Sequence, residues 1–179
     1  MNIAVYCASS LGNCPEYADF AKKLGEWIGK NGHTLVFGGS DSGLMGIMAK
    51  TVLENCGSVY GVVPDVPYIK NLCYKGLTKT YFVPTMADRR NKMIELSDAY
   101  IALPGGFGTL DEVSEVICLS RLKIEDKPCV IANVSGFYDS LKQFFDDIKN
   151  AGFAHGDMSN RLLFSGDIEK IGKFLEDNR

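Results

Sequence analysis

The chain is 179 residues long, 46% hydrophobic, 23% charged and 11% aromatic, which excludes wholesale disorder and allows a core that needs neither disulfide nor metal. Nineteen basic against 22 acidic residues leave a net charge of −3, so there is no overall electrostatic footprint for nucleic acid, and an anionic ligand must be held by a local cluster of cations or amides. No apolar run approaches the roughly 18 residues of a membrane span, and MNIAVYCASS lacks the charged-then-apolar layout of a secretory leader; the expectation is a cytoplasmic protein.

Short β-rich runs alternate with longer amphipathic ones, the pattern of a parallel sheet covered on both faces. An opening strand at Ile3–Cys7 gives way, through Ala8, Ser9, Ser10, Leu11 and Gly12, to a helix over Pro15–Lys30. Pro15 suits its first turn, Tyr17, Phe20, Ala21, Leu24 and Ile28 recur at helical spacing, and Gly32 stops it. A strand at Thr34–Phe37 then runs into a helix over Gly43–Asn55. Strands at Val59–Val63 and Lys79–Val83 flank the least regular stretch, Pro64–Gly76, whose Pro64, Pro67, Tyr68 and Tyr74 suit either a surface loop or part of a substrate lid. The pattern continues with a helix at Met86–Ser97, a strand at Ala99–Leu103, a helix at Thr109–Leu122 and a strand at Cys129–Ala132. Helices at Phe137–Asn150 and Asp167–Asp177 complete it. No Pro/Ser-rich linker, charge block or repeat interrupts the alternation. The expectation is one doubly wound α/β domain over residues 1–179.

In such a sheet, ligands sit outside the carboxyl ends of the strands, where strand order reverses. The turn LPGGFGTLDE, Leu103–Glu112, is the most informative on that edge. Gly105, Gly106 and Gly108 let the backbone approach a ligand, and a helix start at Thr109 adds unpaired donors and partial positive charge, so the turn suits a phosphate. The alternative is a tight turn and nothing more. Two roles are open for Glu112: with Thr109 as N-cap it spells a capping box, and it also lies within a few ångströms of a sugar whose phosphate sits on that helix start.

The turn FGGSDSGLMG, Phe37–Gly46, offers Gly38, Gly39 and Gly43 with Ser40 and Ser42, but neither the dinucleotide fingerprint nor a P-loop. The first turn contributes Ser9 and Ser10. In PTMADRRNKM, Thr85 and Asp88 form a capping pair, and Arg89 and Arg90 follow in the first turns, where cations oppose the helix dipole. They either hold an anion, for which the guanidinium fork is suited, or are solvated surface arginines. Met86 and Met93 read first as core residues. Cys7, Cys14, Cys56, Cys73, Cys118 and Cys129 show no C-x-x-C spacing and read as reduced core cysteines; with only His33 and His155 beside them, no metal is expected. His33 reads as a surface residue on the opposite edge and His155 as part of a late loop. No G-x-S-x-G elbow supports a serine triad, and Lys92 is an isolated candidate for a pyridoxal lysine.

Together PGGFGTLDE and the upstream MADRRNKM resemble the PGGxGTxxE and M-x-x-R-[KR] motifs of the Lonely Guy family, the cytokinin-activating phosphoribohydrolases long labelled lysine decarboxylases. The resemblance extends from VYCASSLGN through FGGSDSGLMG to DKPCVIANVSGFYDSL. It implies a homodimer of Rossmann-like fold that cleaves the N-glycosidic bond of nucleoside 5′-monophosphates, notably N6-isoprenoid AMP, giving free base and ribose 5-phosphate without a cofactor. It implies Arg89 and Glu112 as the catalytic pair. The substrate- or phosphate-binding set is then Ser9, Gly38, Gly39, Gly43, Met86, Arg90, Gly105, Gly106, Phe107, Gly108, Thr109 and Cys118. Arg90 takes the place of a Lys in the family, Ser40 that of a third glycine, Cys118 that of a Thr, and Asn71 falls near where some members carry an acid. These departures bear on the nucleobase preferred.

Glycosidic cleavage passes through a state positive at C1′ and needs a nearby carboxylate to stabilise it or to activate water. Glu112 suits either task, and Arg89 suits holding the nucleotide or keeping Glu112 ionised. Two other functions fit the same fold: a non-catalytic carrier of a nucleotide or of molybdenum cofactor, and a broad purine or pyrimidine 5′-monophosphate nucleosidase. A carrier needs the phosphate loop but not the Arg89–Glu112 pair.

Overall fold

The computed structural model describes residues 1–67, 71–154, 156 and 158–179. Tyr68, in the irregular stretch, and His155 lie outside the described residues. Seven parallel strands form one sheet: β1 (Asn2–Tyr6), β2 (Thr34–Phe37), β3 (Ser58–Pro64), β4 (Lys79–Val83), β5 (Ala99–Ala102), β6 (Cys129–Ile131) and β7 (Leu162–Phe164). Their order is β4-β3-β2-β1-β5-β6-β7. Register is set by pairs such as Ile3 with Leu35 on one side of β1 and Ala4 with Tyr100 on the other. The chain winds outward from β1 to β4, then returns to β5 beside β1, so strand order reverses between the carboxyl ends of β1 and β5. That crevice is where this architecture places a ligand.

Successive residues on a strand face opposite sides, and the two cores follow that alternation. Ile3 and Val5 of β1, with Cys7 just beyond it, pack with Phe20, Leu24 and Ile28 of α1 (Pro15–Lys30), Met48 and Val52 of α2 (Gly43–Glu54), and Ile171 and Leu175 of α6 (Ile168–Asp177). Ala4 and Tyr6 face the other layer. There they meet Met93 and Ile94 of α3 (Met86–Leu96) and Val113 and Val116 of α4 (Phe107–Arg121), and Leu141 and Phe145 of α5 (Asp139–Asn150) pack against the same cluster. Helices therefore cover both faces. No helix among the described residues is long and apolar enough to cross a membrane.

The structure departs from the expected elements in several places. β7 carries no alternation strong enough to be read from three half-buried residues, Leu162–Phe164. α5 begins at Asp139 because Val134–Gly136 forms a separate 3-10 turn in which Ser135 takes a left-handed backbone, φ 51°. Of the six free cysteines only Cys7 and Cys129 are core residues; Cys14 and Cys73 are half-buried, and Cys56 and Cys118 are exposed. His33 is no free surface residue either. Its ring sits edge-on to Trp27 with centroids 5.0 Å apart, and burial lowers its pKa.

Candidate active site

At the reversal point lies a cleft of about 430 Å³, bordered by Cys7, Ala8, Ser9 and Ser10 from the end of β1, Gly38 and Ser40 after β2, Met86 and Arg89 on α3, and Gly106, Gly108, Thr109 and Glu112 on α4. Met45, Pro64 and Leu72 add an apolar wall. A second depression of about 400 Å³, between α1 and the end of β6, is lined by Glu16, Asp19, Lys23, Asn133 and Ser135 among others. Arg89 and Glu112 are the charged residues buried among the described residues, and both belong to the first cleft.

α4 opens two residues earlier than Thr109. Gly106 is the N-cap and makes no side-chain cap bond, and Phe107 is the first helical residue. The expected Thr109–Glu112 capping box therefore does not form: Thr109 is the third helical residue and Glu112 the sixth. The helical turn carries Glu112 inward, where it is 6% exposed. The first amide of α4 bonded to a preceding carbonyl is that of Leu110, which donates to Gly106 O at 3.1 Å; the amides ahead of it have no partner within the helix. A Cβ at Gly105 would collide with Thr109, whereas at Gly106 and Gly108 it would meet nothing within 4 Å. Gly105 thus packs the turn, and Gly106 and Gly108 leave its backbone open to the cleft.

The second glycine turn is spent differently. The amides of Leu44 and Met45, at the start of α2, donate to Ser10 O and Ala8 O, both at 3.3 Å. Those of Asp41 and Ser42 donate to Leu72 O at 2.9 Å and to the Ser40 hydroxyl at 3.2 Å. Gly43, with φ +59°, packs directly on the backbone of Ser9 and Ser10. Gly39, with φ +84°, lies against Val63 and accepts from Tyr74 N–H at 2.8 Å. Neither Gly39 nor Gly43 borders the cleft; both join neighbouring backbone segments. Of the two glycine turns, the one that opens α4 thus leaves its helix start free to receive a phosphate.

Arg89 and Arg90 are neighbours in sequence and have opposite surroundings. Thr85 caps α3 by accepting from Asp88 N–H at 3.1 Å, which brings Arg89 to the inward face, 7% exposed. Its Nε donates to Val62 O at 3.2 Å and its Nη1 to Glu112 Oε1 at 2.6 Å, a buried ion pair linking α3 to α4. Arg90 instead turns to α4's outer acids, Glu115 at 2.8 Å and Asp111 at 3.3 Å, away from the cleft lining. The solvated-surface reading thus fails for Arg89. Met86, expected in the core, is 45% exposed at the cleft mouth, while Met93 is fully buried. Phe107 is 91% exposed and Cys118 lies on the outer face of α4; neither borders the cleft.

The electrostatics of Glu112 balance two causes. Burial raises the carboxyl above its ordinary pKa, and the charge and hydrogen bond of Arg89 pull it back part of the way. The result is a net rise, with Asp111 raising and Arg90 lowering it further. A carboxylate so placed, beside open amides and with one oxygen held by a guanidinium, can face a developing positive charge or take a proton from water.

Ser10 and Ser40, named in their turns from the sequence, do line the cleft, whereas Cys7, Ala8, Met45, Pro64 and Leu72 were not singled out as lining residues. Most adjoin turns already singled out. Leu72 had no periodic signal: it comes to the cleft because its segment is pinned to the second glycine turn by the Asp41 and Tyr74 amides.

Residues 45–173 match a family described as possible lysine decarboxylase. A probable cytokinin riboside 5′-monophosphate phosphoribohydrolase of Oryza sativa subsp. japonica is 40% identical over 97% of this chain and 78% of its own length. A cytokinin riboside 5′-monophosphate phosphoribohydrolase of Rhodococcoides fascians is 36% identical over 94% of this chain and 85% of its own. Among solved structures, the molybdenum cofactor binding protein of Rippkaea orientalis superposes with a TM-score of 0.74 at 20% identity, covering 98% of this chain and 95% of that one. At that identity the likeness is one of fold alone.

Proposed function

This chain belongs to the Lonely Guy family of phosphoribohydrolases, and from that premise we propose that it hydrolyses the N-glycosidic bond of AMP or N6-substituted AMP, releasing free base and ribose 5-phosphate. One observation carries the reading: a buried Arg89–Glu112 ion pair stands beside the open amides that begin α4. The amides and helix dipole receive the 5′-phosphate, which directs the ribose toward Glu112.

The C1′–N bond breaks with its electron pair leaving on the base, and C1′ becomes cationic. Glu112, as the carboxylate, stabilises that charge or takes a proton from the attacking water. The water oxygen bonds to C1′ and a proton returns to the departing base. Arg89 keeps Glu112 ionised against the cost of burial and fixes its orientation. Met45, Pro64, Leu72 and Met86 form the apolar side of the cleft and suit a base with an apolar substituent. A carrier of the same fold would have no use for a buried carboxylate–guanidinium pair.

The active form is a homodimer. α4 presents an outward apolar row, Phe107, Leu110 and, at its end, Leu122, continued by Ile124, all exposed. Such a row beginning at the rim of the cleft suits burial against a second copy. The six free cysteines suit a reducing, cytoplasmic setting.

The reaction is tested by incubating the purified protein with AMP and with isopentenyl-AMP and following free base and ribose 5-phosphate. Equimolar appearance of both products supports the proposal, and intact nucleotide after long incubation overturns it.

A further inference from the structure

We propose that Gly38 is a positioning residue for the active-site pair: the guanidinium of Arg89 occupies the space that a side chain at position 38 would fill, and that vacancy lets Arg89 reach Glu112. The proposal rests on the roles given above to Arg89 and Glu112.

The glycines of the second turn are not alike. Gly39 and Gly43 have left-handed φ values of +84° and +59°, and a Cβ at Gly43 or Gly46 would strike the backbone of Ser9 and Ser10 or of Asp41. Those positions require glycine for reasons of backbone. Gly38 does not: its φ lies outside the left-handed region, and no backbone atom is among the three nearest neighbours of a Cβ built there. What a Cβ would meet is Nη2 of Arg89, inside any real contact, then Cζ of Arg89 at 3.1 Å and Sδ of Met45 at 3.3 Å.

The obstruction is therefore the fork of one long side chain. That fork is fixed at two other points, Nε on Val62 O and Nη1 on Glu112. A methyl group at position 38 drives Nη2 aside, and the planar guanidinium cannot then keep both bonds. Gly38 acts on the reaction through Arg89 and not through the phosphate.

The test is a cycle of four proteins: wild type, Gly38→Ala, Arg89→Lys and the double variant. Lysine ends short of the slot, so the methyl has nothing to displace. Gly38→Ala is expected to lower kcat/KM for isopentenyl-AMP about 10²-fold in the arginine background. In the lysine background the change should be about twofold or less. Equal losses in both backgrounds, or full activity of Gly38→Ala, overturn the proposal.

A second readout needs no turnover: the titration of the Glu112 carboxyl followed by carbon NMR. The charged and titratable groups that act on it are Arg89 and, from the outer side, Arg90 of α3, Asp111 on its own helix, Tyr6 of β1 and Cys7 just beyond it. Gly38→Ala should move its midpoint upward as Arg89 withdraws, and an unchanged midpoint contradicts the proposal. A Gly38→Ala chain that fails to fold also contradicts it, since only a flexible side-chain end has to move. If the wild type releases no base, the assigned reaction fails, while the titration still decides the role of Gly38.

Discussion

Glu112 carries a cost in the folded state that the proposed chemistry requires. Its pKa is raised, chiefly by burial, so the folded chain binds that proton more tightly than the unfolded chain does. The stabilising contribution of the protonated form is complete below the unfolded value, near 4.3, and is lost as pH rises through the raised folded value. Glu112→Gln keeps the neutral state at every pH. The variant should therefore melt at a higher temperature than wild type at pH 7, and the difference should vanish as pH falls below about 4. A thermal scan across that range checks this; a variant less stable than wild type at pH 7 contradicts it. The same sign applies to activity, whose acid limb should lie above the ordinary carboxylate range if Glu112 works ionised. Glu112 and Arg89 were both visible in the sequence as candidates. Their burial was not, because the capping-box spacing T-x-x-E is equally satisfied by a helix beginning elsewhere. The family motif singled out Arg89, but the local residue pattern did not distinguish it from Arg90, since one step of helical rotation decides which faces the sheet.

At the level of elements, the strand-to-helix turns were legible because glycine, proline and hydroxyl residues punctuate them. Their uses were not. The second glycine turn resembles a phosphate cradle in composition, yet the start of α2 is closed by the Ala8 and Ser10 carbonyls. Pairings of that kind join residues distant in sequence and leave no local trace. α4 is the element with two tasks: its inner face carries Val113 and Val116 into the core, and its outer face leaves Leu110 exposed. A charge there should split a dimer built on that face. Leu110→Glu is expected to sediment as a monomer at concentrations where the wild type is a dimer. If the variant remains dimeric, the interface lies on another surface.

At the level of the whole molecule, alternation of β-rich and amphipathic segments predicted the doubly wound sheet, and the period-two division of β1 between two cores accounts for it. β7 escaped because it is a three-residue edge strand, half-buried throughout, and such strands carry little pattern. The reversal of strand order between β1 and β5 gathers the ends of distant segments into one crevice, where an open helix start and a buried acid stand side by side. The most direct measurement is a comparison of Glu112→Gln with wild type on isopentenyl-AMP, with turnover and nucleotide binding recorded on the same preparations. Loss of about 10²- to 10⁴-fold in turnover, with nucleotide binding largely retained, is the predicted result. Release of base by the variant at the wild-type rate would contradict the account.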